Sequence, residues 1–238
     1  MTSRRRTQLG RISGVAIALG GLTCAAEALA AGGPPTKAAA KSFAKAVNLR
    51  TGDIPGFKTG AASKTTAADR RMGAAVAKCA GGVDPNRAVY DANSPDFTLA
   101  SGIVQQDISS EVEILSSSAL VAKDLAAEKS RRGRTCLAQA LDKVFAGSKI
   151  TGAKFGKVSV QSTALQANGA TGSFAYRFKV TATIHGQKIP YYADALGFTL
   201  GRAEVSLSAL GFGVPVSSTD ELGLFSLLLR RAEAAPKL

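Results

Sequence analysis

Three sets of side chains in this 238-residue chain have types and spacings that could do chemistry. Glu111 and Glu113 lie two residues apart in an alternating stretch, so they share one face of a strand and could act as general acid and base. A retaining glycosidase needs two such carboxyls about 5–5.5 Å apart and one with a raised pKa. No apolar residue on that face of the strand is there to raise either one, so the pair reads as an exposed charged face. A hydrolase using Glu111 and Glu113 stays as a third functional reading. His185 is the single imidazole. A Ser-His-Asp arrangement would have to use it, yet no G-x-S-x-G elbow accompanies it. Its ordinary reading is a solvent-facing strand-end residue beside a hairpin turn. Asp84, Asp91, Asn93 and Asp96 offer oxygen ligands of the kind calcium takes. The run Asp91–Asp96 lacks the glycine and distal glutamate of an EF-hand loop, and Asp and Asn are common turn formers.

Other chemistries are poorly supplied. With one His and three Cys, a zinc site built from those two types alone would consume all of them. Gly211-Phe212-Gly213 runs into Val214-Pro215 and not into a helix start, so neither a P-loop nor a dinucleotide fingerprint is present. No cofactor and no metal is expected. No residue asks to be catalytic, and whether the chain is an enzyme stays open.

Basic residues outnumber acidic ones, 30 to 17, for a formal charge of +13. The densest cluster outside the N-terminus is Arg131, Arg132 and Arg134, with Lys129 just before it; these arginines are the anion-binding candidates. Arg177, Lys179 and Lys188 could extend a basic sheet face, with Tyr192 available for stacking. Glu111, Glu113, Asp194 and Glu204, taken as strand-exposed, dilute that stripe.

The first thirty residues decide what the charge means. Met1–Ala30 joins a basic start (Arg4, Arg5, Arg6, Arg11) to an apolar stretch, Ile12–Ala26, and ends in Ala28-Leu29-Ala30. That is the layout of a cleaved secretory signal. The apolar part is short for a membrane span, which needs about 20 residues, and an uncleaved anchor is the alternative. Arg5-Arg6 faintly suggests a twin-arginine signal, and Cys24 could be the acylated cysteine of a lipoprotein. Cleavage takes four Arg and Glu27, leaving 26 basic and 16 acidic side chains and a net +10. It also leaves Cys79 and Cys136, which in an exported chain are most simply one disulfide. An exported chain is not expected to meet nucleic acid; anionic lipids or envelope polymers suit its charge better.

These residues must be positioned by elements that periodicity locates. Thr36 caps a helix to about Leu49. Thr66, with Asp69, caps a second whose face carries Met72, Ala75, Val76 and Cys79. Residues 58–64 read as a polar stretch and 83–95 as a loop. Alternation from Phe97 to Ile103 and from Ile108 to Ile114 predicts two strands. Ser117 and Ser118 cap a helix through Leu120, Val121, Asp124 and Leu125, and another places Leu137, Leu141, Val144 and Phe145 on one stripe. Strands follow near 158–162, 174–184, 189–193 and 203–209. Asn168-Gly169 predicts a type I′ hairpin, and Pro190 an edge or bulge. Ser218–Glu221 reads as a capping box for a last helix with Leu222, Phe225, Leu228 and Leu229 on its stripe. The fold class is α+β: an antiparallel sheet of about six strands flanked by helices, one face covered, with a C-terminal capping helix. The organisation is a signal at 1–30, a helical segment at 31–95 and a sheet region at 96–238, the last two forming one mature domain.

The strand pair at 97–115, the helical segment with Cys136 and the meander closed by the Ser218 helix together resemble the PsbP-like fold. That fold occurs in actinobacterial lipoproteins and in extracytoplasmic sensor domains of mycobacterial serine/threonine kinases. The resemblance covers about 96–235 and implies an antiparallel sheet with flanking helices and a cleft suspected of binding small ligands. Those sensor domains generally carry more cysteines, and no kinase domain is present; no functional residue is carried over. The leading functional reading is an exported envelope protein that binds a small ligand or partner without catalysis. A surface protein held on anionic envelope polymers or lipids is the alternative.

Overall fold

A computed structural model describes residues 33–102, 104–147 and 153–238 of the chain. The signal expected at Met1–Ala30, and Ile103 of the first predicted strand, lie outside those residues. Five helices and nine strands are described. Helix α1 spans Lys37–Val47, and the Thr36 hydroxyl accepts the Ala39 N–H at its start. Helix α2 spans Ala67–Ala80, entered through a reciprocal capping box of Thr66 and Asp69. Helices α3 (Ser118–Lys129) and α4 (Arg131–Gly147) follow one another with Ser130 between them. Helix α5 is Ser218–Ala234. Its cap is Ser217, with no side-chain hydrogen bond, so the capping box expected of Ser218–Glu221 does not form. Glu221 is buried against Asp194 and cannot reach back along the helix.

The strands are β1 (Lys58–Ala62), β2 (Tyr90–Asn93), β3 (Pro95–Ser101), β4 (Val104–Ile114), β5 (Ala153–Phe155), β6 (Ser159–Ser162), β7 (Gly172–Ile184), β8 (Gln187–Leu200) and β9 (Ala203–Phe212). They form one antiparallel sheet in the order β1-β3-β4-β9-β8-β7-β5. Strand β2 lies in line with β3 on the same edge of β4, and β6 in line with β5 on the far edge of β7. The predicted six strands become nine because β1, β2 and β5 are short edge pieces. Two of them fall in stretches read as polar connection (58–64) and loop (83–95). Their pairing comes from the neighbouring strand and not from their own pattern.

Two turns correct the hairpin expectation. The type I′ turn is His185-Gly186, with φ of 49° and 83°, between β7 and β8. At Asn168-Gly169 only the glycine has positive φ (93°), and the Ala170 N–H donates to the Ala167 carbonyl within a longer connection. Pro190 lies inside β8, where its carbonyl accepts the Gly213 N–H just past the last β8–β9 pair, Tyr191 with Phe212.

Helices cover both faces of the sheet, not one. Helices α1 and α5 pack on the face carrying Ile108, Val112, Leu196, Phe198, Val205 and Leu207; the Phe198 and Phe225 rings meet edge-on at 5.4 Å. Helices α2 and α4 lie over the other, where Val76, Leu137, Leu141 and Phe145 meet Tyr176, Phe178, Val180, Tyr191 and Leu210. Cys79 and Cys136 form a disulfide joining α2 to α4 across 57 residues, worth roughly 4 kcal/mol in the loop-entropy account. Packing on α4 rotates α2 so that Gly73, Val76, Ala77 and Ala80 are buried, while Ala75 is exposed. Among the described residues no helix is long and apolar enough to cross a membrane.

The buried stripe of α5 is Leu224, Phe225, Leu228 and Ala232, and Leu222 is 48% exposed. Leu228→Ala should therefore cost about 2–5 kcal/mol and Leu222→Ala less than about 0.5. Urea denaturation of the two variants distinguishes this stripe from one that includes Leu222.

Candidate functional site

Antiparallel register brings acidic side chains together. Asp91 of β2 pairs with Glu113 of β4, and Glu113 pairs with Glu204 of β9, so three carboxyls line up across adjacent strands. In the next row Asn93 pairs with Glu111, and Glu111 with Ser206. Like charges directly opposite one another oppose sheet formation, so something else must hold this register. The apolar residues on the reverse side of the same strands do so: Val112, Ile114, Ala203 and Val205 are buried under α1 and α5.

Helix α3 brings two more acids to this cluster. Asp124 and Glu128, one turn apart, are 1% and 2% exposed. Asp124 accepts the Val83 N–H at 2.6 Å. The Tyr176 hydroxyl of β7 donates to the Glu128 backbone carbonyl, which fixes α3 over the sheet. Asp124 and Glu204 meet side chain to side chain, a contact that raises Glu204 further and holds Asp124 down.

A cavity of about 80 Å³ lies between this face of the sheet and the helices. Glu111, Glu113, Glu128 and Glu204 line one part of it; Leu137, Leu141, Phe174, Phe178 and Leu210 line the rest. Ser206, Ser208, Ala193 and Ala195 are small enough to leave it open. Gly197 is required beneath Phe174: a Cβ there would stand 2.3 Å from the ring. A smaller pocket of about 20 Å³ shares Glu111 and Glu113 and is closed by Asp69, Arg70 and Gly73 of α2 with Asp91.

Burial sets the protonation of the cluster. It pushes Glu111 up to about 7, helped by Asp91 and Asp69. It raises Glu113 well above the carboxylate range, with Glu111, Asp124, Asp91 and Asp84 adding to the effect. Glu128 rises for the same reason beside Asp124 and Glu113. Glu204 rises through burial and the charges of Asp124, Glu113 and Glu128. Asp124 goes up to about 7 by burial, restrained by the Val83 N–H and by Lys123. One Oε1 each of Glu113, Glu128 and Glu204 is buried without a hydrogen-bond partner, although Glu204 as a whole is only half-buried. Carboxyls near neutrality in a half-apolar space can exchange a proton or take up a cation.

The reverse face holds a second acid pair with its own cation. Arg177 makes two hydrogen bonds to Asp194, at 2.7 and 2.8 Å, and lies 3.8 Å from Glu221. Burial and a hydrogen bond to Asp194 raise Glu221 to about 8.

The expectation of an exposed acidic strand face is overturned. Glu111, Glu113 and Asp194 are buried and Glu204 is half-buried, because helices cover both sides of the sheet. Arg177 is taken by Asp194, and Lys179 sits 5.5 Å over the Tyr192 ring. Arg131, Arg132 and Arg134 occupy the first turn of α4; Arg131 and Arg132 are exposed, and Arg134 donates to the Lys129 carbonyl. None of the three lines the cavity. His185 is exposed in its turn. The calcium candidates do not converge: Asp84 caps a short 3-10 turn, Asp96 accepts from Ser63, and Asn93 donates to Ser63 and Thr65. Among the described residues no three His, Cys, Asp or Glu side chains are arranged to hold a metal ion. Sequence reading missed Asp124 and Glu128 as site residues. Their signal was an acid on the same helical face as Val121 and Leu125.

No family model and no curated protein matches the chain. Among solved structures it is similar to LpqN of Mycobacterium tuberculosis, described as involved in cell envelope biogenesis. The TM-score is 0.30 at 9% identity, over 78% of this chain and 86% of that one. A likeness of that score carries no argument about this chain.

Acids whose folded pKa is raised keep their protons while the unfolded chain loses its own. Their contribution is complete below about pH 4.5 and is lost as pH rises through 7 and beyond. Stability in thermal or urea denaturation should thus fall between pH 5 and pH 9. Glu111→Gln should remove about 3 kcal/mol of that fall. A profile that rises toward pH 9 contradicts the buried cluster.

Proposed function

We propose that the chain is an exported binding protein of a bacterial cell envelope that holds a small ligand between its sheet and helices α3 and α4. The cavity with a carboxyl part and an apolar part carries this reading, because such a space both buries a ligand and orients it. Export rests on the basic, apolar and small-residue layout of Met1–Ala30 and on the Cys79–Cys136 disulfide, which persists outside a reducing cytosol. Construction of 96–235 on the PsbP-like pattern is part of the same proposal.

The test is a thermal-shift and native mass-spectrometry screen with small cationic, neutral and anionic compounds. At least one class should raise Tm, and Ala195→Leu, which fills the cavity, should abolish the shift. A ligand at a hundredfold excess over Kd stabilises by about 2.7 kcal/mol, well within reach of the measurement. No shift with any class removes the proposal.

Acid–base hydrolysis is favoured by one observation, the raised carboxyls of Glu111 and Glu113 in a shared cavity. Glycosidase turnover that is unchanged in Glu113→Gln removes that reading.

A further inference from the structure

Resting on the cavity as a binding site, we propose that its ligand is a short-chain amine in its ammonium form. The charge sits among Glu113, Glu128 and Glu204, and the carbon chain lies against Leu137, Phe174 and Phe178. Three buried carboxyl oxygens, Oε1 of each glutamate, lack a donor. Glu113 and Glu128 are 5% and 2% exposed, so solvent does not serve them. A buried acceptor without a donor costs about 1–3 kcal/mol, and more if charged. Among the described residues no Lys, Arg or His lines this cavity, so these carboxyls have no cation of the chain's own beside them there.

Glu113 and Glu204 stand side by side on the adjacent strands β4 and β9, and Glu128 reaches the cavity from helix α3. An ammonium group has three diverging donors and matches that spread. Among the described residues no converging set of ligands for a metal ion is formed. The size of the space limits the body of the ligand. A cavity of about 80 Å³ is roughly half the ~150 Å³ that takes up benzene, which admits a chain of a few carbons.

Binding is linked to a proton. Glu111 and Glu113 of β4, Glu204 of β9 and Asp124 and Glu128 of α3 repel one another's charge and share too little solvent to ionise together. Asp91 of β2, Asp69 of α2 and Asp84 add to that field; Lys123 opposes it at Asp124, Arg70 lies beyond in the smaller pocket, and Arg134 acts on Tyr176. When the ammonium enters, one carboxyl ionises against it and its proton passes to the buffer. The ammonium keeps its own protons throughout, as a lysine-like amine does up to about pH 10.

The experiment is calorimetric titration of the mature, disulfide-bonded protein with n-butylamine at pH 6, 7 and 8. Two buffers of different ionisation enthalpy are used, with n-butanol, butyrate and calcium chloride as parallel titrants. The expected result is binding of butylamine with release of about one proton, tightening up to tenfold per pH unit. Glu128→Gln and Glu204→Gln should each weaken it at least tenfold, with far-UV circular dichroism and Tm confirming that both variants fold. Butanol, butyrate or calcium binding as tightly as butylamine overturns the amine assignment and leaves a binding cavity of another class. So does butylamine binding without proton release. No heat with any titrant, together with no shift in the screen above, overturns both readings.

Discussion

Carboxyl groups packed side by side beneath a helical cover are the constraint on which this fold turns. Asp91, Glu113 and Glu204 stand in one row across three strands, an arrangement that sheet pairing disfavours when they are charged. Taking each ion out of water would cost several kcal/mol, so protonation is the cheaper state. The cover is then tied to the cluster it conceals. Asp124 holds the Val83 N–H, the Glu128 carbonyl takes the Tyr176 hydroxyl, and the disulfide binds α2 to α4. Loosening any of these would wet the acids and let them ionise against one another.

The reverse face solves a similar problem differently. Asp194 and Glu221 also meet in a buried setting, but Arg177 lies against both, and the bidentate geometry to Asp194 fixes where the charge resides. Under α2–α4, Lys123 opposes the shift at Asp124, while burial and mutual repulsion raise the glutamates toward their protonated forms. The two faces thus differ in what balances their acids: a fixed guanidinium on one, exchangeable protons on the other.

Much of the frame was legible in the sequence. Helix starts at Thr36, Thr66 and Ser117, the strand pair of β3 and β4 and the long meander follow from local spacing, and the Cys79–Cys136 bridge from the two cysteines that remain in a chain read as exported. The site was not legible, because alternation along a strand was taken to mean core against solvent. Ser109, Glu111 and Glu113 alternate correctly with Ser110, Val112 and Ile114, but with helices on both sides neither set meets water freely. Only the three-dimensional order β4-β9-β8-β7 places Glu113 beside Glu204, more than ninety residues away. The short strands β1 and β2 escaped for a related reason. Tyr90–Asn93 carries turn-forming residues, and its extended shape comes from pairing with Glu111–Ile114.

The buried protons also change what the formal charge describes. Glu111, Glu113, Asp124, Glu128, Glu204 and Glu221 count as negative in the tally of 17 acidic residues, yet in the folded chain burial raises the pKa of every one of them. At neutral pH the native molecule is therefore more cationic than its composition states, and its positive charge is concentrated on the outside. Folding in neutral solution is accordingly a proton-consuming event, and the electrophoretic mobility of the folded protein records how many protons the interior has taken up.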